Sequence, residues 1–217
     1  MKKLSILLLV GCSSAIYAQD VKYGATATAH GTLINEVHSY SKPRLGGSIG
    51  AFATIPLNAN EALKPQNMFI QPQVEFSTQG ERANESSLGK QEFYNNYITA
   101  VAYFKYFFTK GETRSNFFAF AGPKFEYLVS DSRSTTPAYE AAFGDGPFEK
   151  EINKFGFGLS GGAGYALSSE FEVFLRYDQG LSKIYPDKKG NTFNNVFGLG
   201  LNYTFSSKKS ATDAVEN

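Results

Sequence analysis

An all-β fold, an eight-stranded antiparallel up-and-down barrel, is what this sequence predicts, and three observations predict it. Eight segments alternate apolar and polar residues with a period of two, as strands with two chemically distinct faces do. No long segment shows a 3.6-residue period, so helices are at most short loop decorations. The faces opposite the aromatic ones are rich in glycine, which suits side chains crowding a narrow bore better than an open surface.

The eight predicted strands are Val21–Gly31, Leu45–Ile55, Met68–Thr78, Asn95–Phe108, Asn116–Ser130, Lys154–Leu167, Phe171–Ser182 and Thr192–Phe205. The first sets Ala25, Ala27 and Ala29 against Thr26, Thr28 and His30. The third opposes Met68, Ile70, Val74 and Phe76 to Gln71, Gln73 and Glu75. In the fifth, Phe117, Phe125, Tyr127 and Val129 oppose Lys124 and Glu126. The sixth opposes Phe155, Phe157, Leu159 and Tyr165 to Gly156, Gly158, Ser160, Gly162 and Gly164. The seventh, "FEVFLRYDQGL", puts Phe171, Val173, Leu175 and Tyr177 on one face and Glu172, Phe174, Arg176 and Asp178 on the other. The eighth ends on Leu199, Leu201, Tyr203 and Phe205 opposite Gly198, Gly200, Asn202 and Thr204.

Alternation alone fits a soluble sandwich or a lipocalin-like barrel equally well. A soluble barrel, however, would turn Lys, Glu and Thr to water and fill its inside with bulky apolar groups. Here the polar faces are small or charged, and the apolar strand ends carry Phe and Tyr as membrane-interface girdles do. The prediction is therefore a transmembrane barrel with hydrocarbon outside and Glu172, Arg176 and Asp178 inside. Composition agrees: 20 Phe, 13 Tyr and 21 Gly, with no Trp. No mature stretch reaches the ~18 apolar residues that a spanning helix requires.

The opening "MKKLSILLLVGCSSAIYAQD" has two lysines, a short apolar run and a small residue at Ala18, which reads as a secretory signal peptide over residues 1–18. "LVGC" also resembles a lipobox that would lipidate Cys12, but the apolar run before it is short. With Cys12 removed the chain has no disulfide framework. Without Lys2 and Lys3 the 21 basic residues fall to 19, against 20 acidic ones, which gives no basis for a nucleic-acid partner. The barrel is assigned to residues 19–205 and a polar, disordered periplasmic tail to 206–217.

With both termini in the periplasm, the outer loops are Thr32–Arg44, Gln79–Tyr94, Asp131–Asn153 and Lys183–Asn191. The inner turns are Pro56–Asn67, Thr109–Ser115 and Ser168–Glu170. The outer connections are mostly the longer ones, as expected in the cell outer membrane of a Gram-negative organism.

Several stretches resemble successive strands of the PorT-like outer-membrane β-barrel family of Bacteroidota: "GGSIGAFATIPL", "MFIQPQVEFSTQGE", "NYITAVAYFKYFF", "FFAFAGPKFEYLVS" and "FGFGLSGGAGYALSSEFEVFLRYDQGLSKI". The most specific pieces are the "AGP" of strand five and the "RY…GL" of the strand six–seven hairpin. The resemblance implies an eight-stranded barrel inserted by the outer-membrane assembly machinery and in contact with outer-membrane lipid. "GLNYTF" resembles the terminal-strand signal read by that machinery, although "SSKKSATDAVEN" follows it. Some relatives belong to protein-secretion machinery, which implies protein partners in an outer-membrane complex.

The candidate site is the set of inward charges Glu75, Lys105, Lys124, Glu126, Glu172, Arg176 and Asp178, three positive and four negative. An eight-stranded bore is just wide enough for side chains, so these groups are expected to pair into a structural plug; an ion path or ligand site is the alternative. No cofactor, metal or catalytic site is expected. His30 and His38 lack a ligand companion, and a surface hydrolase using them with Ser130 or Asp131 has no support in spacing. "GLSGGAG" lacks the Lys-Ser/Thr of a phosphate loop. The longest outer loop offers Tyr139, Phe143 and Phe148 as contacts for a partner.

Overall fold

The computed structural model describes residues 21–36, 41–57, 66–85, 89–110, 113–143, 152–186 and 190–205, with the backbone alone for Asn84, Glu85 and Phe143. The leader, Cys12, His38, Phe148 and the tail from 206 lie outside the described residues. Eight strands follow one another around a closed ring: β1 (Lys22–Ile34), β2 (Ser41–Pro56), β3 (Met68–Glu85), β4 (Gly89–Lys110), β5 (Thr113–Thr135), β6 (Phe155–Ala166), β7 (Phe171–Gly180) and β8 (Asn194–Thr204). Every neighbouring pair is antiparallel, and β1 closes on β8 from Gly24↔Thr204 to Ile34↔Asn194. Closure leaves no unpaired edge, the condition for a sheet in hydrocarbon.

The outward face is apolar. Leu45 is 84% exposed, and Ile49, Phe76, Phe117, Phe125, Phe155, Leu199 and Phe197 stand out from the wall with it. In water so continuous an apolar surface would drive association; against acyl chains it is the stable face.

The first five strands run further than their alternation predicts, β3, β4 and β5 by the most. The ladder of β3 and β4 continues from Gln79↔Asn95 to Glu85↔Gly89, so most of the predicted outer loop Gln79–Tyr94 is strand. β5 accompanies it to Thr135. The physical reason is that these segments rise past the apolar belt: water replaces lipid outside, the outward residues turn polar, and the two-face contrast disappears while the backbone ladder goes on. The predicted turn Thr109–Ser115 likewise tightens, because Lys110 already pairs with Thr113.

One short helix, α1 (Pro137–Phe143), follows β5. Thr136 starts it, its carbonyl accepting from Tyr139 and Glu140 N–H, with Pro137 at the first helical position where no N–H is needed. Thr136 is also tied to Lys90 of β4 in both directions, at 3.0 Å each.

Inside, glycine and bulk alternate between neighbouring strands. On β5, Phe118, Phe120, Lys124 and Glu126 pair with Gly164, Gly162, Gly158 and Gly156 of β6. On β7, Phe174 and Arg176 pair with Gly200 and Gly198 of β8. Each large inward side chain thus leans into space that its neighbour leaves open. Near the termini the bore is closed by Phe69, Val101, Tyr103, Phe107, Phe118, Phe120 and Phe174. This aromatic layer corrects the expectation of an inward face that is only polar or small. At the far end Ile34, Ile184 and Tyr185 pack together. There Ile184 N–H donates to the Thr192 carbonyl and Tyr185 N–H to the Thr192 hydroxyl.

Candidate functional site: a charged ladder in the lumen

Five of the lumen charges lie between the aromatic layer and the far-end cap, and Lys105 and Glu172 lie at the level of the layer itself. β3 supplies Glu75, β4 Lys105, β5 Lys124 and Glu126, and β7 Glu172, Arg176 and Asp178. Glu75 and Lys124 are 1% exposed, Asp178 2% and Arg176 3%.

Each cation has a carboxylate. Lys105 Nζ lies 2.5 Å from Glu172 Oε2, nearest the termini, with its charge 4.2 Å above the Phe118 ring centroid. Arg176 Nη1 donates to Glu75 Oε1 at 2.8 Å, and its Nε lies 3.4 Å from Asp178 Oδ1. Lys124 Nζ bridges Asp178 Oδ2 at 3.3 Å and Glu126 Oε1 at 3.0 Å. Neutral groups join these pairs. Gln71 donates to Gln73 at 3.0 Å, and Gln73 donates to Glu75 at 2.6 Å. Ser160 donates to Asp178 at 2.6 Å and meets the Tyr103 hydroxyl at 2.8 Å. Gln79 donates to Glu126 at 2.7 Å and accepts from Asn194. With Lys105 also donating to Gln71 at 3.4 Å, one ladder of hydrogen bonds and ion pairs spans the bore from Asn202, which donates to Glu172 at 3.0 Å, to Asn194.

The bore is full at this level. The cavity lined by Gln71, Gln73, Tyr103, Lys105 and Phe118 measures about 10 Å³. A single water requires roughly 10–15 Å³ of such volume.

A family model described as "Outer membrane protein beta-barrel domain" matches residues 17–185. The chain belongs to that family. It is an outer-membrane β-barrel protein, an eight-stranded one by its own topology. Among solved structures, Neisserial surface protein A is 16% identical, covers 85% of this chain and 97% of its own, and superposes with a TM-score of 0.47. The attachment invasion locus protein Ail of Yersinia pestis, solved with the heparin analogue sucrose octasulfate, is 11% identical over 85% of this chain and 99% of its own, TM-score 0.44. The outer membrane enzyme PagL is 10% identical over 81% of this chain and 98% of its own, TM-score 0.38. No curated protein matches the sequence.

In this outer-membrane barrel His30 sits inside the wall, 3% exposed, with Nε2 3.0 Å from the Thr78 carbonyl oxygen. Ser130 is exposed and accepts from Asn96 Nδ2 at 2.9 Å. His30 and Ser130 therefore do not meet as a surface hydrolase pair would, and His38 lies outside the described residues. Among the described residues no cluster of three or more His, Cys, Asp or Glu is placed to hold a metal.

Of the loop contacts expected for a partner, Tyr139 lies on α1 and is buried, 7% exposed, on a helix that packs against β4. Phe143 ends the helix, and Phe148 lies outside the described residues. One lumen carboxylate escaped the sequence reading altogether. Glu81 is fully buried and accepts from the Ser41 hydroxyl at 3.1 Å; it lies in the segment read as loop. Its spacing of two from Gln79, Ser77 and Glu75 was the available signal.

Above the apolar belt, the Tyr94 hydroxyl donates to Glu92 at 2.6 Å. That bond holds the Glu92 carboxyl below its ordinary range and raises the Tyr94 phenol. Burial pushes up the Tyr185 phenol in the far-end cap, so it stays a neutral hydroxyl.

Proposed function

We propose that this barrel is non-enzymatic and closed, and that it acts as a structural anchor or accessory subunit of an outer-membrane complex. The observation that carries this reading is the filled lumen: its central charges are paired, and the cavity beside Lys105 and the aromatic layer measures about 10 Å³, where a pore would need a continuous water path. The far-end connections, around α1 and between β7 and β8, are longer than the turns at the other end, which supports loops outside the cell and both termini in the periplasm. The strand motifs that resemble the PorT-like family support the finer reading, an accessory role in protein secretion.

Purified protein in a planar bilayer should give no steady conductance, and Arg176→Ala should not open one, because Phe118, Phe120 and Phe174 still block the bore. Steady current in the unaltered protein would overturn the closed-barrel reading. Solubilisation from native membranes in mild detergent should bring down a stoichiometric protein partner; migration as a lone barrel would remove the subunit role.

Orientation has its own test. A cysteine replacing exposed Ala141 on α1 should react with a membrane-impermeant maleimide on intact cells, and one replacing exposed Thr113 only after lysis. The reverse pattern would invert the topology.

A further inference from the structure

The lipid-facing wall is not evenly filled. A groove of about 660 Å³ runs over β1, where Ala27, Ala29 and Gly47 form a trough between Ile49 and Phe76 on one side and Leu199 and Leu201 on the other. Ligand pockets are commonly about 300–1,000 Å³. Thr78 stands at its far-end rim, accepting from Gly47 N–H at 3.2 Å.

Directly beyond that rim the chemistry changes. The carbonyl of Gln79 accepts from Arg44 Nη1 at 2.9 Å, and the same guanidinium lies 4.2 Å over the Tyr94 ring centroid. Arg82 and Lys90 approach one carboxylate, Glu92, at 3.7 and 3.5 Å. Lys42 is the register partner of Arg82 and is exposed. Among the described side chains here, four cations stand against one carboxylate, immediately above an apolar trough at hydrocarbon depth.

We propose that this wall binds one phosphorylated lipid of the outer leaflet, its phosphate against Arg44, Arg82, Lys42 and Lys90 and an acyl chain in the groove over β1. The two halves fit one amphiphile. Guanidinium forks match phosphate oxygens, and partial shielding by the wall and the Tyr94 ring strengthens them over free surface charges. A soluble anion would leave the trough without use, and a purely apolar partner would leave the cation surplus without use. The proposal rests on the topology above, which places this face in the outer leaflet; cysteine labelling tests that topology separately.

The test uses native mass spectrometry of the full chain in a zwitterionic detergent, titrated with a diphosphorylated, multiply acylated disaccharide lipid. One lipid should bind. Arg44→Gln/Arg82→Gln/Lys90→Gln should weaken it at least about tenfold, as should removing the lipid's phosphates. Ala29→Phe, which fills the trough and leaves every cation in place, should weaken it several-fold. Lys22→Gln/Lys110→Gln, at the opposite end, should leave it unchanged. All these sites are on the exterior, so folding is checked by the heat-dependent gel shift. Binding by the triple variant within about twofold of the unaltered protein would overturn the proposal. Indifference to Ala29→Phe, equal loss in the lysine variant, or full competition by equimolar inorganic phosphate would do the same.

Discussion

Arg176→Met should destabilise the folded barrel by about 3–5 kcal/mol, read as a lowered urea midpoint in vesicles and an earlier loss of the heat-modifiable band. The residue is 3% exposed and answers two carboxylates, Glu75 at 2.8 Å and Asp178 at 3.4 Å. Methionine fills much of the same volume, so packing changes little and the loss is electrostatic. Asp178 keeps Lys124 and Ser160, but Glu75 keeps only Gln73 and becomes a buried carboxylate without a cation. The double substitution Glu75→Met/Arg176→Met should recover most of the loss, because exchanging a whole buried pair for apolar groups is often near neutral. A loss below about 1 kcal/mol in the single variant would mean that these ions are hydrated and that the plug reading is wrong.

The same residues mark how far the sequence could be read. The alternation of "FEVFLRYDQGL" places Leu175 and Tyr177 outside and Arg176 and Asp178 inside, and the structure has them so, because a two-residue period has no other way to sit in a wall. What alternation does not carry is which inward group meets which. Glu75 and Arg176 are 101 positions apart, on β3 and β7, and meet across the bore at 2.8 Å. That contact depends on closure and shear, which only the assembled ring sets.

Two features were hidden for different reasons. Glu81 sits where the wall has left the apolar belt, so the contrast that announces a strand is gone while its inward neighbours Gln79 and Ala83 remain buried. Phe118 and Phe120 were hidden by their own chemistry: "FFAFAGP" is aromatic on both faces, and an inward phenylalanine reads as noise in a lipid-facing pattern. Only the glycines across the ladder reveal it, since Gly162 and Gly164 are the space those rings occupy.

That complementarity predicts the second large effect. Gly200→Ala should cost about 1–3 kcal/mol, the usual range for overpacking a filled core. A Cβ at 200 would lie 2.1 Å from Phe174 Cζ, and the next two nearest atoms belong to the same ring. The ring has little room to retreat, since Phe120 meets it edge-on at 5.7 Å and the space over Gly164, its other register partner, is taken by the Phe118 ring. Because the obstacle is one side chain, Phe174→Leu in the same molecule should return most of the stability lost by Gly200→Ala. Gly162→Ala is the contrasting case. There the new methyl would lie 2.0 Å from the backbone carbonyl of Leu175, so Phe120→Leu should not rescue it. If the 200/174 pair were simply additive, Gly200 would be present for backbone reasons; if the 162/120 pair compensated strongly, Gly162 would be present for its neighbour's ring. Strong coupling in the first pair and none in the second would instead assign Gly200 to its neighbour's ring and Gly162 to the approach of the strands themselves.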